Sequence, residues 1–271
     1  MKFFIAVPSY DGSMRTDTAH SINVASKEHP GEVQWADCHS SLLGITFNRL
    51  LTRALYSGAQ YFCMLHADVA PDPYWIDTLL GEMKASKADV ISAVIPLKGV
   101  HGLTSTAVDL GSEENPWRCR RITMKEVFGL PETFTAADFG YKDKALLINT
   151  GCMMFDLFAP WVKSFPGFTV SDKASPVDCQ FCNAKGCAEC GNHGWRMAVQ
   201  VESEDWGFGR WLHKNGLKAV ATRKVLIRHF GSAFYTNSVP WGTFDRDPEI
   251  IPEKELKEPV PFSSKDELYL L

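Results

Sequence analysis

An α/β fold, built on a mostly parallel sheet with helices on both faces and carrying one small cysteine-rich insert, is predicted by three observations. Short apolar runs alternate with amphipathic stretches over the first hundred residues. Polar and charged residues follow directly on those runs. Four of the eight cysteines fall between positions 179 and 190.

The elements follow in order. Phe3 to Val7 is a continuous apolar run closed by Pro8-Ser9-Tyr10-Asp11-Gly12, the signature of a buried strand entering a turn. Thr16 to Lys27 reads as a helix and Val33 to Ala36 as a short strand. Leu43, Phe47, Leu50, Leu51, Ala54 and Leu55 mark one face of a second helix, with Gly58 suited to its stop. Tyr61 to Leu65 is the next strand, followed by His66-Ala67-Asp68, a helix from Tyr74 to Ala85, and a strand from Val90 to Ile95 closed by Pro96.

Residues 99 to 143 lack a clear period and read as loops and short elements over a site. Ala145 to Ile148 and Cys152 to Phe155 are apolar again, with a helix expected from Leu157 to Ser164. Glu204 to Asn215 is helical in pattern with Gly216 as its stop, Lys218 to Ala221 is a strand, and Val225 to Ile227 leads into Arg228-His229-Phe230-Gly231. From about Thr236 the chain is rich in proline and acidic residues, as expected of a surface tail or disorder. The expected organisation is one domain over 1–235, an insert over about 170–198, and a tail over 236–271. In an open parallel sheet ligands bind beyond the carboxyl ends of the strands, which is where Asp11, His66, Asp68 and Lys98 fall.

Composition narrows the function classes. The 271 residues are 45% hydrophobic and 22% charged, which excludes disorder, collagen and small disulfide scaffolds. No apolar run approaches the roughly 18 residues of a membrane span, and Phe3 to Val7 is too short for a signal-peptide core, so a cytoplasmic protein with no membrane partner is expected. With 28 basic and 32 acidic side chains and a net charge of −4, no global field attracts a polyanion.

Cys179, Cys182, Cys187 and Cys190 form C-x2-C-x4-C-x2-C. Two knuckles supplying four thiolates are what a closed tetrahedral Zn²⁺ site requires, so a structural zinc is expected. An iron–sulfur cluster or two local disulfides are the alternatives. Cys38, Cys63, Cys119 and Cys152 are scattered and read as small core residues. The insert, with Trp195 and Arg196 after it, either serves recognition or staples a long loop.

Asp68, directly after a buried strand, is placed to hold a divalent cation against a phosphate, although a turn carboxylate ahead of Pro71 has the same pattern. Glu204 and Asp205 open a helix, where the dipole favours carboxylates, so capping alone also accounts for them. Lys98 is placed to offset a diphosphate charge.

Taken together and in order, Ile5-Ala6-Val7-Pro8-Ser9-Tyr10-Asp11, Leu65-His66-Ala67-Asp68-Val69, Asn149-Thr150-Gly151-Cys152-Met153, Glu204-Asp205-Trp206-Gly207-Phe208 and His229 resemble nucleotide-sugar glycosyltransferases of the GT-A fold, nearest their family-2-like branch. The resemblance spans roughly residues 1 to 233 outside the insert and lies in order and spacing. It implies a Rossmann-like sheet and a metal-dependent transfer of a sugar from a nucleotide donor, UDP-linked, to a hydroxyl. Asp11 would sit by the base, with Pro8 and His66 on the donor side. Asp68, last residue of the aspartate-x-aspartate motif, and His229 would hold Mn²⁺ or Mg²⁺. His66 replaces the motif's first aspartate, a departure that touches metal dependence. Asp205 would be the general base and Glu204 its neighbour on the acceptor side, which favours inversion.

Trp117-Arg118-Cys119-Arg120-Arg121 mixes basic and aromatic groups, so a hydroxymethylated base in DNA stays open as acceptor beside a plain solvated surface. Two rivals stand. A nucleotidyltransferase would carry a glycine-rich basic loop after the first strand, which Pro8 to Gly12 is not. A non-catalytic, zinc-containing nucleic-acid-binding protein on the same scaffold is the other, and His66 is the residue that favours it.

Overall fold

The computed structural model describes residues 1–112, 117–179 and 181–247. Strands and helices alternate through the first third: β1 (Phe3–Ser9), α1 (Thr16–Glu28), β2 (Val33–His39), α2 (Leu43–Tyr56), β3 (Tyr61–Leu65), β4 (Val69–Pro71), α3 (Trp75–Ser86) and β5 (Val90–Ala93). β6 (Leu103–Asp109), β7 (Cys119–Thr123), α4 (Met124–Val127), β8 (Thr133–Phe134), β9 (Leu146–Leu147) and β10 (Cys152–Asp156) follow. The chain continues through β11 (Ser171–Asp178), β12 (Trp195–Glu202), α5 (Glu204–Lys214), β13 (Ala219–Thr222), β14 (Ile227–Phe230) and β15 (Phe234–Thr236).

Seven strands form the main sheet in the order β2-β1-β3-β10-β5-β13-β8. β2, β1, β3, β5 and β13 run one way, and β10 and β8 run against them. The fold is therefore α/β with a mostly parallel sheet, as the alternation predicts. Both faces are buried, and β3 shows why its sequence is apolar throughout: Phe62 and Met64 pack with Phe47 and Leu50 of α2, whereas Tyr61, Cys63 and Leu65 pack with Ile22 of α1 and Leu79 of α3.

Three expectations are corrected locally. The segment Leu157 to Ser164 forms only a 3-10 turn over Pro160–Ser164, because the proline sits at its first positions and Pro166 follows. The strand at the apolar run Val225 to Ile227 lies at Ile227–Phe230, two residues later, since Asp72 and Asn237 hold the backbone N–H groups of Leu226 and Ile227, each at 2.8 Å. Cys38 is half-buried, whereas Cys63, Cys119 and Cys152 are core residues.

Of the expected tail, residues 236–247 lie on the domain. Asn237 is buried and donates to the carbonyls of Val225 at 2.8 Å and Val94 at 3.1 Å, and Asp247 accepts the Arg121 N–H at 2.8 Å. Residues 248–271 lie outside the described residues.

Candidate functional site

The carboxyl ends of β1, β3 and β5 reach one edge of the sheet, and the antiparallel β10 begins there. The turns on that edge are tied together: His66 N–H donates to Gly151 O at 2.9 Å, Ala67 N–H to Pro8 O at 3.2 Å and Arg15 N–H to Ala67 O at 2.9 Å. A Cβ on Gly151 would lie 2.6 Å from Ile95 Cδ1, so a larger residue in the Asn149-Thr150-Gly151 turn would have to displace that side-chain methyl. Over this edge opens a cavity of about 490 Å³ lined by Pro8, Asp11, Arg15, His66, Asp68 and Lys98. Four of the donor-side residues named from sequence, Pro8, Asp11, His66 and Lys98, thus line one cavity together with Asp68.

β14 pairs antiparallel with β4, placing His229 opposite Val69, and Phe230 N–H donates to Asp68 O at 2.9 Å. That register brings His229 Nε2 to 3.6 Å from Asp68 Oδ2, while Lys98 Nζ makes a close ion pair with the same oxygen. Burial disfavours the charged carboxylate of Asp68, but the hydrogen bond and charge of His229, then Lys98, outweigh it and hold the group well below the usual carboxylate range.

His229 Nδ1 lies 2.8 Å from Pro96 O. A carbonyl only accepts, so Nδ1 carries the proton and the other ring nitrogen is turned toward Asp68. With Nδ1 fixed as the donor to a backbone carbonyl, Nε2 would have to give up its proton to a cation; the nitrogen it then offers beside the Asp68 carboxylate is a donor pair that a divalent cation fits. His66 is not part of that set. Its Nε2 lies 3.2 Å from Thr150 Oγ1, its ring packs on Phe47, and burial pushes its pKa down to about 4, so it is a neutral wall of the cavity.

Arg15 was not singled out from sequence. Its guanidinium reaches Gly231 O at 3.4 Å and lies 5.9 Å from the Phe230 ring, and the Lys98 side chain also packs by Gly231. Two cations therefore face one cavity across the β14 turn. Tertiary placement alone distinguishes Arg15 from the other exposed basic residues.

Glu204 and Asp205 lie in a neighbouring cavity of about 290 Å³, with Leu97, Ser105, Arg121, Val201 and Trp206. Leu97 lines this cavity and Lys98 the first, so the two flank one short segment after β5. Asp205 Oδ1 takes a close hydrogen bond from Ser203 Oγ and one from Trp206 N–H at 2.8 Å. Both of these hydrogen bonds fall on Oδ1, and the residue lines the cavity. Burial pushes the Asp205 carboxyl up to about 7, reinforced by the charge of Glu204 and opposed by Ser203 and Trp206. Burial raises Glu204 as well.

The basic run 117–121 is not one patch. Arg120 pairs closely with Glu126 and stacks on Phe139 at 4.2 Å, whereas Arg121 lies 5.0 Å from the Trp206 ring. Alternation along β7 sends neighbouring arginines to opposite faces.

β11 and β12 form a separate antiparallel ribbon with Cys179, Cys182, Cys187 and Cys190 at its tip. All four sulfurs lie within 4.8 Å of one another, with Cys179–Cys187 and Cys187–Cys190 at 3.8 Å and Cys182–Cys190 at 3.9 Å. A tetrahedron with Zn–S bonds of about 2.3 Å has S···S edges of about 3.8 Å, so the tetrad is already spaced for zinc. A disulfide needs about 2.05 Å. Backbone N–H groups of Gly186, Cys187 and Gly194 point at the sulfurs at 3.2 to 3.3 Å, stabilising thiolate charge. The cluster could therefore hold a metal such as zinc. Eight strand residues at about 3.3 Å each put it roughly 26 Å from α5, too far to join the chemistry there.

An isolated two-stranded ribbon is marginal in water. Chelation, or Cys182→Ser, is therefore expected to release one zinc per chain and to speed amide exchange across 171–202 while protection in β1, β3 and β5 is retained. Zinc release to a colorimetric chelator, followed by hydrogen exchange, checks this.

No protein-family model and no curated protein matches the chain. Among solved structures it is similar to A197 from STIV at 14% identity, over 85% of this chain and 86% of that one, with a TM-score of 0.47. It is also similar to S. aureus TarS 1-349 in complex with UDP-GlcNAc, at 13% identity over 40% of this chain and 39% of that one, with a TM-score of 0.28. For TarS 1-349 without ligand the figures are 13%, 53%, 54% and 0.29. The chain thus spans about half or less of TarS 1-349. Likenesses this distant carry no residue role across. No described helix is long and apolar enough to cross a membrane.

Proposed function

We propose that the protein is a glycosyltransferase that moves a sugar from a UDP-linked donor to an acceptor hydroxyl. The observation that carries the reading is the adjacency of two unlike carboxylates: Asp68, held ionised among cations, and Asp205, pushed up to about 7 in the next cavity. One suits a cation and the other proton transfer.

Asp11 lines the larger cavity, with its carboxylate held by Ser13 N–H at 2.9 Å and Ser13 Oγ at 2.5 Å, and would lie by the nucleotide base. Lys98 and Arg15 offset the diphosphate charge. Asp68 and His229 hold Mn²⁺ or Mg²⁺, which when bound stabilises the charge on the departing diphosphate. Asp205 Oδ2 takes the proton of the attacking hydroxyl, and Glu204 orients the acceptor and raises the basicity of its neighbour. Attack from the side of the sugar opposite the diphosphate inverts the anomeric carbon. Zinc at the four cysteines is structural, since no coordination position stays open.

Calorimetric titration of UDP with and without Mn²⁺, followed by UDP release from a panel of UDP-sugars, tests the reading. Metal-dependent UDP heat is expected. Its absence, together with no donor turnover, removes the assignment and leaves the non-catalytic alternative.

A further inference from the structure

Along β12 the residues Trp195, Met197, Val199 and Val201 fall at every second position, so all four project from one face of the ribbon. They are 45%, 54%, 64% and 57% exposed. Across the ladder they meet Asp178, Pro176, Ala174 and Asp172, side chains too short to cover them. The ribbon has no third strand among the described residues, so the backbone groups along both its outer edges are unpaired. A continuous apolar strip beside open strand edges is what soluble chains avoid unless something binds there.

The position of the strip gives it a direction. Val201, at its inner end, lines the same cavity as Glu204 and Asp205. Trp195, at its outer end, meets the His193 ring at 5.9 Å beside the cysteine tip. A molecule lying along the strip would therefore run from the tip to the candidate base.

Charge selects among occupants. Residues 171–202 hold Asp172, Asp178, Glu189 and Glu202 against Lys173, Lys185 and Arg196. Four thiolates around one Zn²⁺ add two further negative charges. An arm of net negative charge repels a phosphate backbone, which binds through lysine and arginine neutralisation. An extended polypeptide suits it: strand addition satisfies the open edge, alternate side chains lie over the apolar face, and Trp and Met are residues enriched at protein contacts.

We infer that the ribbon docks an extended segment of a polypeptide acceptor, which adds as a third strand and carries a serine or threonine hydroxyl to Asp205. The inference rests on the glycosyl-transfer reading. In the step, the bond between the anomeric carbon and the diphosphate oxygen breaks and UDP leaves with its electron pair. A bond forms from the acceptor oxygen to that carbon, and the hydroxyl proton passes to Asp205.

The test uses the zinc-loaded full chain and nine-residue peptides alternating threonine with valine, against matched peptides alternating threonine with aspartate. The valine peptides are expected to bind by calorimetry and, with UDP-sugar and Mn²⁺, to gain the mass of one sugar, while the aspartate peptides do neither. The double variant Trp195→Ser/Met197→Ser, with zinc content and circular dichroism retained, should weaken peptide binding at least tenfold and leave UDP affinity unchanged. Val199→Thr, nearly isosteric, should act in the same direction. The inference is overturned if the double variant binds and glycosylates the peptides like the parent, or if no peptide is modified although UDP binds. It is equally overturned if hydroxymethylated DNA is modified instead, or if sedimentation shows a dimer that the double variant dissolves. Failure of UDP to bind at all overturns the donor-site reading itself.

Discussion

Asp205→Asn is expected to lower sugar transfer about 10²- to 10⁴-fold, the usual contribution of a positioned general base, with UDP affinity unchanged. Asparagine keeps an oxygen for Ser203 and the Trp206 N–H, so the start of α5 is preserved and the loss falls on the proton alone. In the parent, transfer should rise with pH as Asp205 ionises, with its midpoint near the value of about 7 to which burial pushes the group. Stability should move the other way. The folded value lies above the ordinary 3.8, so the protonated form favours the fold; that contribution is full below about pH 4 and is lost as pH rises through about 7. Asp205→Asn should therefore melt higher than the parent at pH 8, with the gap closing toward pH 4. A flat pH profile for transfer between pH 5 and 9, or unchanged transfer in the variant, removes Asp205 as the base.

Asp68→Asn is expected to reduce turnover on the order of 10³-fold or more, since cation stabilisation of a leaving diphosphate is worth several kcal/mol. It should also abolish the Mn²⁺ dependence of UDP binding, which separates it from Asp205→Asn. Lys98 supplies an internal control. Its ammonium occupies the carboxylate oxygen that a cation would use, so Lys98→Met should tighten Mn²⁺ binding in the absence of nucleotide, read by electron paramagnetic resonance, while weakening UDP. If Mn²⁺ affinity is the same in the parent, Asp68→Asn and Lys98→Met, Asp68 is not a metal ligand and the ion pair is structural.

Much of this molecule was legible along the chain because the signals are local. Strand β3 coincides with the apolar run Tyr61 to Leu65, α2 with the face led by Phe47 and Leu50, and the tetrad with its C-x2-C spacings. The grouping of Pro8, Asp11, His66, Asp68 and Lys98 around one cavity is legible for a related reason: parallel strands end on one edge, so residues following β1, β3 and β5 share it. The ribbon is less legible, although Trp195, Met197, Val199 and Val201 carry a period-two pattern. The irregular cysteine tip interrupts that pattern and separates two strands eight residues long.

What the sequence by itself determined is the set of elements and the kinds of chemistry available: a parallel α/β scaffold, a four-thiolate tip and carboxylates at strand and helix ends. Periodicity and short spacings encode these within a few residues. Which groups meet was decided only by the tertiary structure. His229 reaches Asp68 because β14 pairs with β4 across some 160 intervening residues, and the close packing of α5 over β9, where Gly209 faces Leu146 and Leu147, orients the helix that carries Asp205. Tertiary placement likewise sets Arg120 against Glu126 and Phe139 and Arg121 against Trp206. Pair register and burial are properties of distant segments brought together, and no local pattern records the partner.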